Sequence, residues 1–226
     1  MLDEIDNLDD LWNFVEYVNK ENFFENDFMP VFGGGRNFKP KLMFVFINPT
    51  YVNTSSDKNW KGPRFPFIGT KPFWRVVHKA GLFDDELMDA INNSKDWSLE
   101  FTDKVLQFLN SNSIYLTNIV KWTGKDATLP DSEKIKLFLP ILEREIQIVR
   151  PEYIVTFGLI PFENLTKQKI KLLEYHSKIM EDKTLKFFDV EFGDFKTKLI
   201  PNYFPVGMGN PKKSAEILKL VKLLAD

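Results

Sequence analysis

Cysteine is missing from all 226 residues. That absence excludes disulfides, thiolate-held metals and iron–sulfur clusters together. Histidine is nearly missing as well. His78 and His176 are the only two, too few for an ordinary zinc site, and both are expected as partly exposed surface side chains. No Ser-His-Asp or Cys-His arrangement for nucleophilic catalysis suggests itself. No apolar run reaches the roughly 18 residues a membrane-spanning helix needs, and no N-terminal leader pattern is visible. The chain therefore reads as soluble and cytoplasmic, with no membrane partner. A large charge imbalance is also lacking: the formal net charge is −2 and the pI about 5.8. Globally, that does not advertise a nucleic-acid binder.

What is present is a globular composition, 43 % hydrophobic and 27 % charged, with 22 phenylalanines that predict an aromatic-rich core. The length suits one domain over residues 1–226, of which 1–30 form an N-terminal helical segment. Positive charge is local. Lys58, Lys61, Arg64, Lys71, Arg75 and Lys79 share a stretch without a single acid. Lys121 with Lys125, and Lys212 with Lys213, form two smaller groups. Any one of these groups by itself reads more readily as a solvated face than as a binding site, and what they flank decides.

Hydrophobic periodicity organises the chain. Residues 3–19 carry a helical stripe through Ile5, Leu8, Leu11, Trp12, Val15 and Val18. "VFGGGRNFKPK" reads as a glycine-rich loop and "LMFVFI" as a strand buried on both faces. "PFWRVVHKAG" reads as a short helix with Pro72 in its first turn and Gly81 at its end. Further helices are expected over about 99–110, 132–149 (kinked at Pro140), 161–176 and 212–225. "SIYLTNIV" and "PEYIVTFG" read as strands, and "LKFFDVEF" with "FKTKLI" as a hairpin around Gly-Asp. Strands alternating with helices predict an α/β domain with a mainly parallel sheet. In such sheets ligands bind beyond the carboxyl ends of the strands. "NPTYVN", "TNIVKW" and "NYFPVGMGN" therefore fall on one rim. The "GGG" precedes a strand and is not followed by GK[ST], so it is no phosphate-binding fingerprint.

These segments, in this order, resemble the uracil-DNA glycosylase superfamily across most of residues 31–225. "VFGGGRNFKPKLMFVFINPT" resembles the entry into that superfamily's first motif, in the Asn-Pro form of the mismatch-specific and single-strand-selective branches. "GPRFPFIGTKPFWRVVHKAGLF" is similar to the segment that supplies an aromatic stacking on the flipped base. "YLTNIVKW" resembles the strand whose asparagine reads the base edge. "FLPILEREIQIVRPEYIVTFG" is similar to the iron–sulfur branch, and "YFPVGMGNPKK" stands in the place of the last motif. Two departures stand out. Phe138 sits where the iron–sulfur branch has a cluster cysteine, so no cofactor and no metal is expected. Phe204 takes the place of the last motif's histidine, which implies a slow enzyme.

The resemblance implies a three-layer α/β/α sandwich with a mainly parallel central sheet of about four strands. It also implies excision of a deaminated or mismatched base from DNA, by a monomer acting without covalent catalysis. Asn48 would hold the attacking water through its amide, which does not titrate near neutral pH. The bland alternative is a turn asparagine satisfying its own backbone. Asn118 would offer a donor and an acceptor to a uracil-like edge, or else be a strand-end asparagine bonded to backbone. Phe67 would stack on the base, Tyr51 would wall the pocket and Met208 would wedge into the vacated stack. Lys61, Arg64, Lys71, Lys212 and Lys213 would contact phosphates. Two rivals remain: a non-catalytic module that binds damaged or single-stranded DNA, and a hydrolase of free nucleosides or nucleotides.

Overall fold

The computed structural model describes residues 2–23, 26–93, 97–125 and 128–225. Its strands are β1 (Gly34–Gly35), β2 (Leu42–Phe46), β3 (Ile114–Asn118), β4 (Tyr153–Phe157), β5 (Phe188–Phe192) and β6 (Phe195–Asn202). They form a sheet in the order β1-β3-β2-β4-β6-β5. The four inner strands are parallel. β2 and β3 are apolar or small throughout and wholly buried, as a strand covered on both faces must be. The antiparallel edges differ in pattern: β5 and the start of β6 alternate buried with exposed residues, and the end of β6, paired with β4, is buried continuously.

The anticipated hairpin of β5 and β6 forms, with Gly193 in the left-handed region at φ 60°. The parallel strands match the expected number, and the two antiparallel edges bring the sheet to six. One of those edges, β1, lies inside the stretch read as a loop. Gly34 and Gly35 pair with Leu116 and Tyr115 of β3. Glycine is a poor strand former, but a Cβ on Gly35 would lie 2.2 Å from the Ile114 carbonyl oxygen, so close backbone approach requires it.

Helices cover both faces. Against one face pack α2 (Pro72–Lys79), α3 (Asp85–Asn93), α4 (Leu99–Ser111), α7 (Leu172–Asp182) and α8 (Pro211–Ala225), around Phe44, Phe46 and Phe157 of the sheet. Against the other pack α1 (Leu8–Asn22), α5 (Ser132–Val149) and α6 (Leu159–Thr166), around Met43, Val45, Tyr115 and Ile154. The result is the three-layer α/β/α sandwich that the family resemblance implied, with the mainly parallel sheet that the strand–helix alternation predicts. α5 begins at Asp131, whose side chain accepts from the Lys134 amide, and runs on through Pro140. The single helix expected over 161–176 is two, α6 and α7. Lys167 turns left-handed at φ 57° and ends the first of them. α3 has no counterpart in the expectations. Among the described residues no helix is long and apolar enough to cross a membrane.

Candidate active site

The carboxyl ends of β2, β3, β4 and β6 share one rim because these strands run parallel. β2 and β3 remain joined beyond their last residues. The Ile119 amide donates to the Phe46 carbonyl at 2.8 Å, and Val120 to Ile47 at 3.0 Å. Further out, Gly124 donates to Pro49 at 2.9 Å and Tyr51 to Gly124 at 3.0 Å. The segments following the two strands thus lie side by side, which brings Asn48 and Asn118 onto neighbouring chains.

Phe46 is the centre of this arrangement. It sits opposite Asn118 in the β2–β3 register. Its ring meets Phe67 edge-on at 4.6 Å and stacks on Phe157 at 4.6 Å. Alternation along β3 sends Tyr115 and Thr117 toward α5, and Ile114, Leu116 and Asn118 toward the face that carries Phe46. Asn118 and Phe67 therefore flank the same ring.

Asn118 is 2 % exposed, and its Nδ2 is a buried donor without a partner among the described residues. Leaving such a group unpaired costs about 1–3 kcal/mol, so it marks a place where a ligand acceptor would be favourable. Phe67 is half-buried and holds φ 69°, an uncommon conformation for a bulky side chain. Its carbonyl accepts from the Thr70 amide, the Thr70 hydroxyl and Trp74 Nε1, which together fix it there. The ring stacks on Phe73 at 4.2 Å and meets Phe46 edge-on at 4.6 Å. Strain held this firmly clusters at ligand clamps.

Asn48 is half-buried, and its Nδ2 donates to the Pro49 carbonyl at 3.0 Å. The turn-asparagine reading thus describes half of the amide. Among the described residues nothing donates to its Oδ1, which keeps acceptor capacity for water. Tyr51 is 54 % exposed and faces Phe28 across a cleft of about 540 Å³ shared with Asn53 and Lys58. That cleft does not take in Asn118 or Phe67. Another, of about 390 Å³, lies beside Ile114 at the opposite end of β3.

The loop after β6 carries Phe204 and Met208. Phe204 is half-buried against the core of its face, and its carbonyl accepts from the Asn210 amide at 3.0 Å. Met208 projects fully into solvent. A Cβ on Gly209 would lie 2.0 Å from the Phe204 carbonyl oxygen, so the turn closes only with glycine there. Asn210 caps α8 by accepting from the Lys213 amide at 3.0 Å.

The basic side chains divide into two groups. Lys61 and Lys212 are exposed and have no ion-pair partner among the described residues. Lys213 leans over the Tyr203 ring at 5.6 Å. Arg64 instead donates to the carbonyls of Ser55, Asp57 and Trp60 and braces the 55–64 loop. Burial lowers its pKa from the usual arginine value. Lys71 donates to the Asn92 carbonyl at 2.8 Å. Arg64 thus braces its own loop, and Lys71 spends one of its three donors on backbone.

A buried polar cluster behind β3 was not anticipated. Lys121 and Glu145 are both wholly buried and 2.5 Å apart. Tyr115 Oη donates to Glu145 Oε1 at 2.9 Å, and Thr117 Oγ1 to Oε2 at 3.1 Å. Burial depresses the Lys121 pKa against the pull of Glu145, and burial with the adjacent carboxylate pushes the Tyr115 phenol well up. Two signals were present in the sequence. Lys121 interrupts the apolar run after Asn118, and Glu145 falls on the stripe of Phe138, Ile141, Leu142 and Val149 that faces the core. No group of three or more His, Cys, Asp or Glu able to hold a metal exists among the described residues.

Comparison with known proteins matches residues 32–222 to the family model described as the uracil DNA glycosylase superfamily. No curated protein matches the chain.

Proposed function

From the premise that the chain belongs to the uracil DNA glycosylase superfamily and has a DNA glycosylase-type function, we propose that it is a monofunctional enzyme releasing a deaminated or mismatched base, uracil or a close analogue. The observation that carries this reading is the buried, unpartnered Asn118 Nδ2 on the sheet face that also carries Phe67. A uracil-like edge presents a carbonyl that would accept from it. A duplex base cannot reach this rim without leaving the stack, a cost of a few kcal/mol that is least for a mispaired base.

The chemistry asks little of titratable groups. The bond from C1′ to the base nitrogen breaks, its electron pair leaves with the base, and water bonds to C1′ and gives up a proton, which the base anion takes up through solvent. Asn48 Oδ1 holds that water in line by accepting its hydrogen bond. Charge on the departing base is met by Asn118 Nδ2. Phe204 offers no donor, so any further stabilisation comes from backbone amides of the 206–209 turn. Lys121, the lysine nearest the rim in sequence, is locked to Glu145 and is not free to attack C1′. The abasic strand would remain uncut until treated with alkali.

One observation favours a second reading, a module that binds DNA without acting on it: Phe204 cannot donate to a leaving group. Incubating the protein with end-labelled DNA carrying one uracil, followed by alkali, separates the two. Alkali-dependent cleavage supports the glycosylase. Retarded mobility without cleavage supports the binding module. Turnover of free deoxyuridine with neither result points to a nucleoside hydrolase.

A further inference from the structure

The buried cluster behind β3 has one outlet toward the rim. Lys121 Nζ has three donors, and all are committed: Glu145 Oε2 at 2.5 Å, Thr117 Oγ1 at 2.5 Å and the Asn118 carbonyl at 2.7 Å. Glu145 in turn is bonded by Tyr115 and Thr117, the two β3 side chains that face α5. One carboxylate on α5 thus gathers alternate residues of β3, and one ammonium carries the hold forward to the peptide of Asn118. The Trp12 ring closes the ammonium's remaining side at 5.7 Å. Space for the cluster depends on Gly33, where a Cβ would lie 2.1 Å from Tyr115 Oη and 2.6 Å from Glu145 Oε1.

Stability alone is a poor account of this pair. Well-packed apolar residues in place of a buried ion pair are often neutral or stabilising, because both charges have left water. Specific placement is a better one. By strand alternation the Asn118 side chain lies on the face opposite Thr117, and its Nδ2 finds no partner among the described residues, so no bond through its donor holds its orientation. The backbone behind it is held instead.

We propose that Lys121 and Glu145 are positioning residues that clamp the Asn118 peptide, and through it aim the Asn118 amide at the base. The inference rests on the glycosylase reading for its consequence in catalysis, but the clamp itself has a readout that needs no substrate.

The test uses the full chain with Lys121→Met and Glu145→Leu combined, so that neither charge is left buried alone. Thr117→Val is a second, milder variant that removes the hydroxyl bridging the pair. Single-turnover release of uracil is measured beside the Asn118 side-chain NH₂ relaxation by ¹⁵N NMR. The paired variant should fold and release uracil about 10²-fold more slowly, the scale of misplacing a positioning group by roughly 1 Å. Its Asn118 NH₂ should become more mobile than in wild type. Combined with Asn118→Ala, the pair should add no further loss, because it acts through that side chain. Thr117→Val should give a smaller loss of the same kind. Wild-type rates in both variants, a loss that multiplies fully with Asn118→Ala, or an unchanged NH₂ would each overturn the clamp. If the wild type releases no base from any substrate, the proposed function falls, and the NH₂ measurement alone decides the clamp.

Discussion

Phe67 is held against its own backbone preference, and the three donors on its carbonyl show how firmly. A ring fixed this way presents a face at little entropic cost on binding. Phe67→Ala should weaken binding of DNA with an extrahelical uracil by about 1–3 kcal/mol, the value of one base–aromatic stack. Binding of abasic DNA should hardly change, and equal losses on both DNAs would assign the ring to packing. Asn48→Ala should slow single-turnover release by about 10²-fold at unchanged melting temperature, as for loss of one preorganised polar group. An unaltered rate in a folded variant would return Asn48 to the turn. Phe204→His should speed uracil release if the imidazole comes within about 3 Å of the base oxygen. If Phe204 serves the core instead, the variant loses several kcal/mol of stability and gains no rate. At this scale the placement of Asn48 and Asn118 on one rim beyond β2 and β3 was legible from the strand pattern, and their roles are what the variants test. The bracing by Arg64 was not legible: charge composition says nothing of the backbone carbonyls a loop will turn toward it.

The elements place these residues through edges and loops more than through the central strands. β1 is the clearest case. Its two glycines pair with β3 and cover the start of the strand that ends in Asn118. Gly35 combines φ 115° with a would-be Cβ 2.2 Å from the Ile114 oxygen. Gly35→Ala should therefore cost about 1–3 kcal/mol in strain, with some displacement of β1 added. In a domain of this size that lowers Tm by several degrees, at about 2–4 °C per kcal/mol. An unchanged Tm would mean the edge relaxes freely. The inner strands, the closing helix and the hairpin were legible as buried runs, as a 3.6-residue stripe and as Gly-Asp between strands. β1 was not, since two glycines carry no side-chain pattern and pair only because β3 is already there. The break between α6 and α7 was hidden for a related reason: Lys167 ends the helix by a left-handed turn that its side chain does not announce.

At the scale of the whole molecule two apolar layers flank one sheet, and two phenols lie buried within them. Tyr175 is pushed up by burial and donates to the Lys186 carbonyl at 2.8 Å; Tyr115 is pushed well up by burial and the adjacent Glu145 carboxylate. A folded pKa above the unfolded value of about 10 gives stability that is present below that value and lost as pH rises past it. Burial lowers Lys121, which acts the other way up to about pH 10.5 and offsets part of this loss. Burial also raises the half-buried Tyr203, so three phenols stand against one amine and stability should fall above about pH 10. Tyr175→Phe should be less stable near neutral pH by about 1 kcal/mol, the worth of its hydrogen bond. Its alkaline decline, followed by circular dichroism, should be shallower than that of wild type, and an equally steep decline would place the loss elsewhere.

The final prediction concerns charge. A net charge of −2 offers no global attraction to DNA, so binding must come from the rim. Of the five basic residues expected to contact phosphates, Arg64 and Lys71 donate to carbonyls, and Lys61, Lys212 and Lys213 do not among the described residues. Each phosphate neutralised contributes about −0.9 to the slope of log K against log salt concentration. Three such contacts predict a slope near about −3, and all five basic residues of the original expectation would give about −4.5. Titrating labelled uracil-containing DNA at several salt concentrations distinguishes the two. Lys212→Ala should reduce the slope by about one and weaken binding alike for every sequence. A slope near zero would mean that the rim does not track a nucleic-acid backbone, and would turn the substrate question toward free nucleosides.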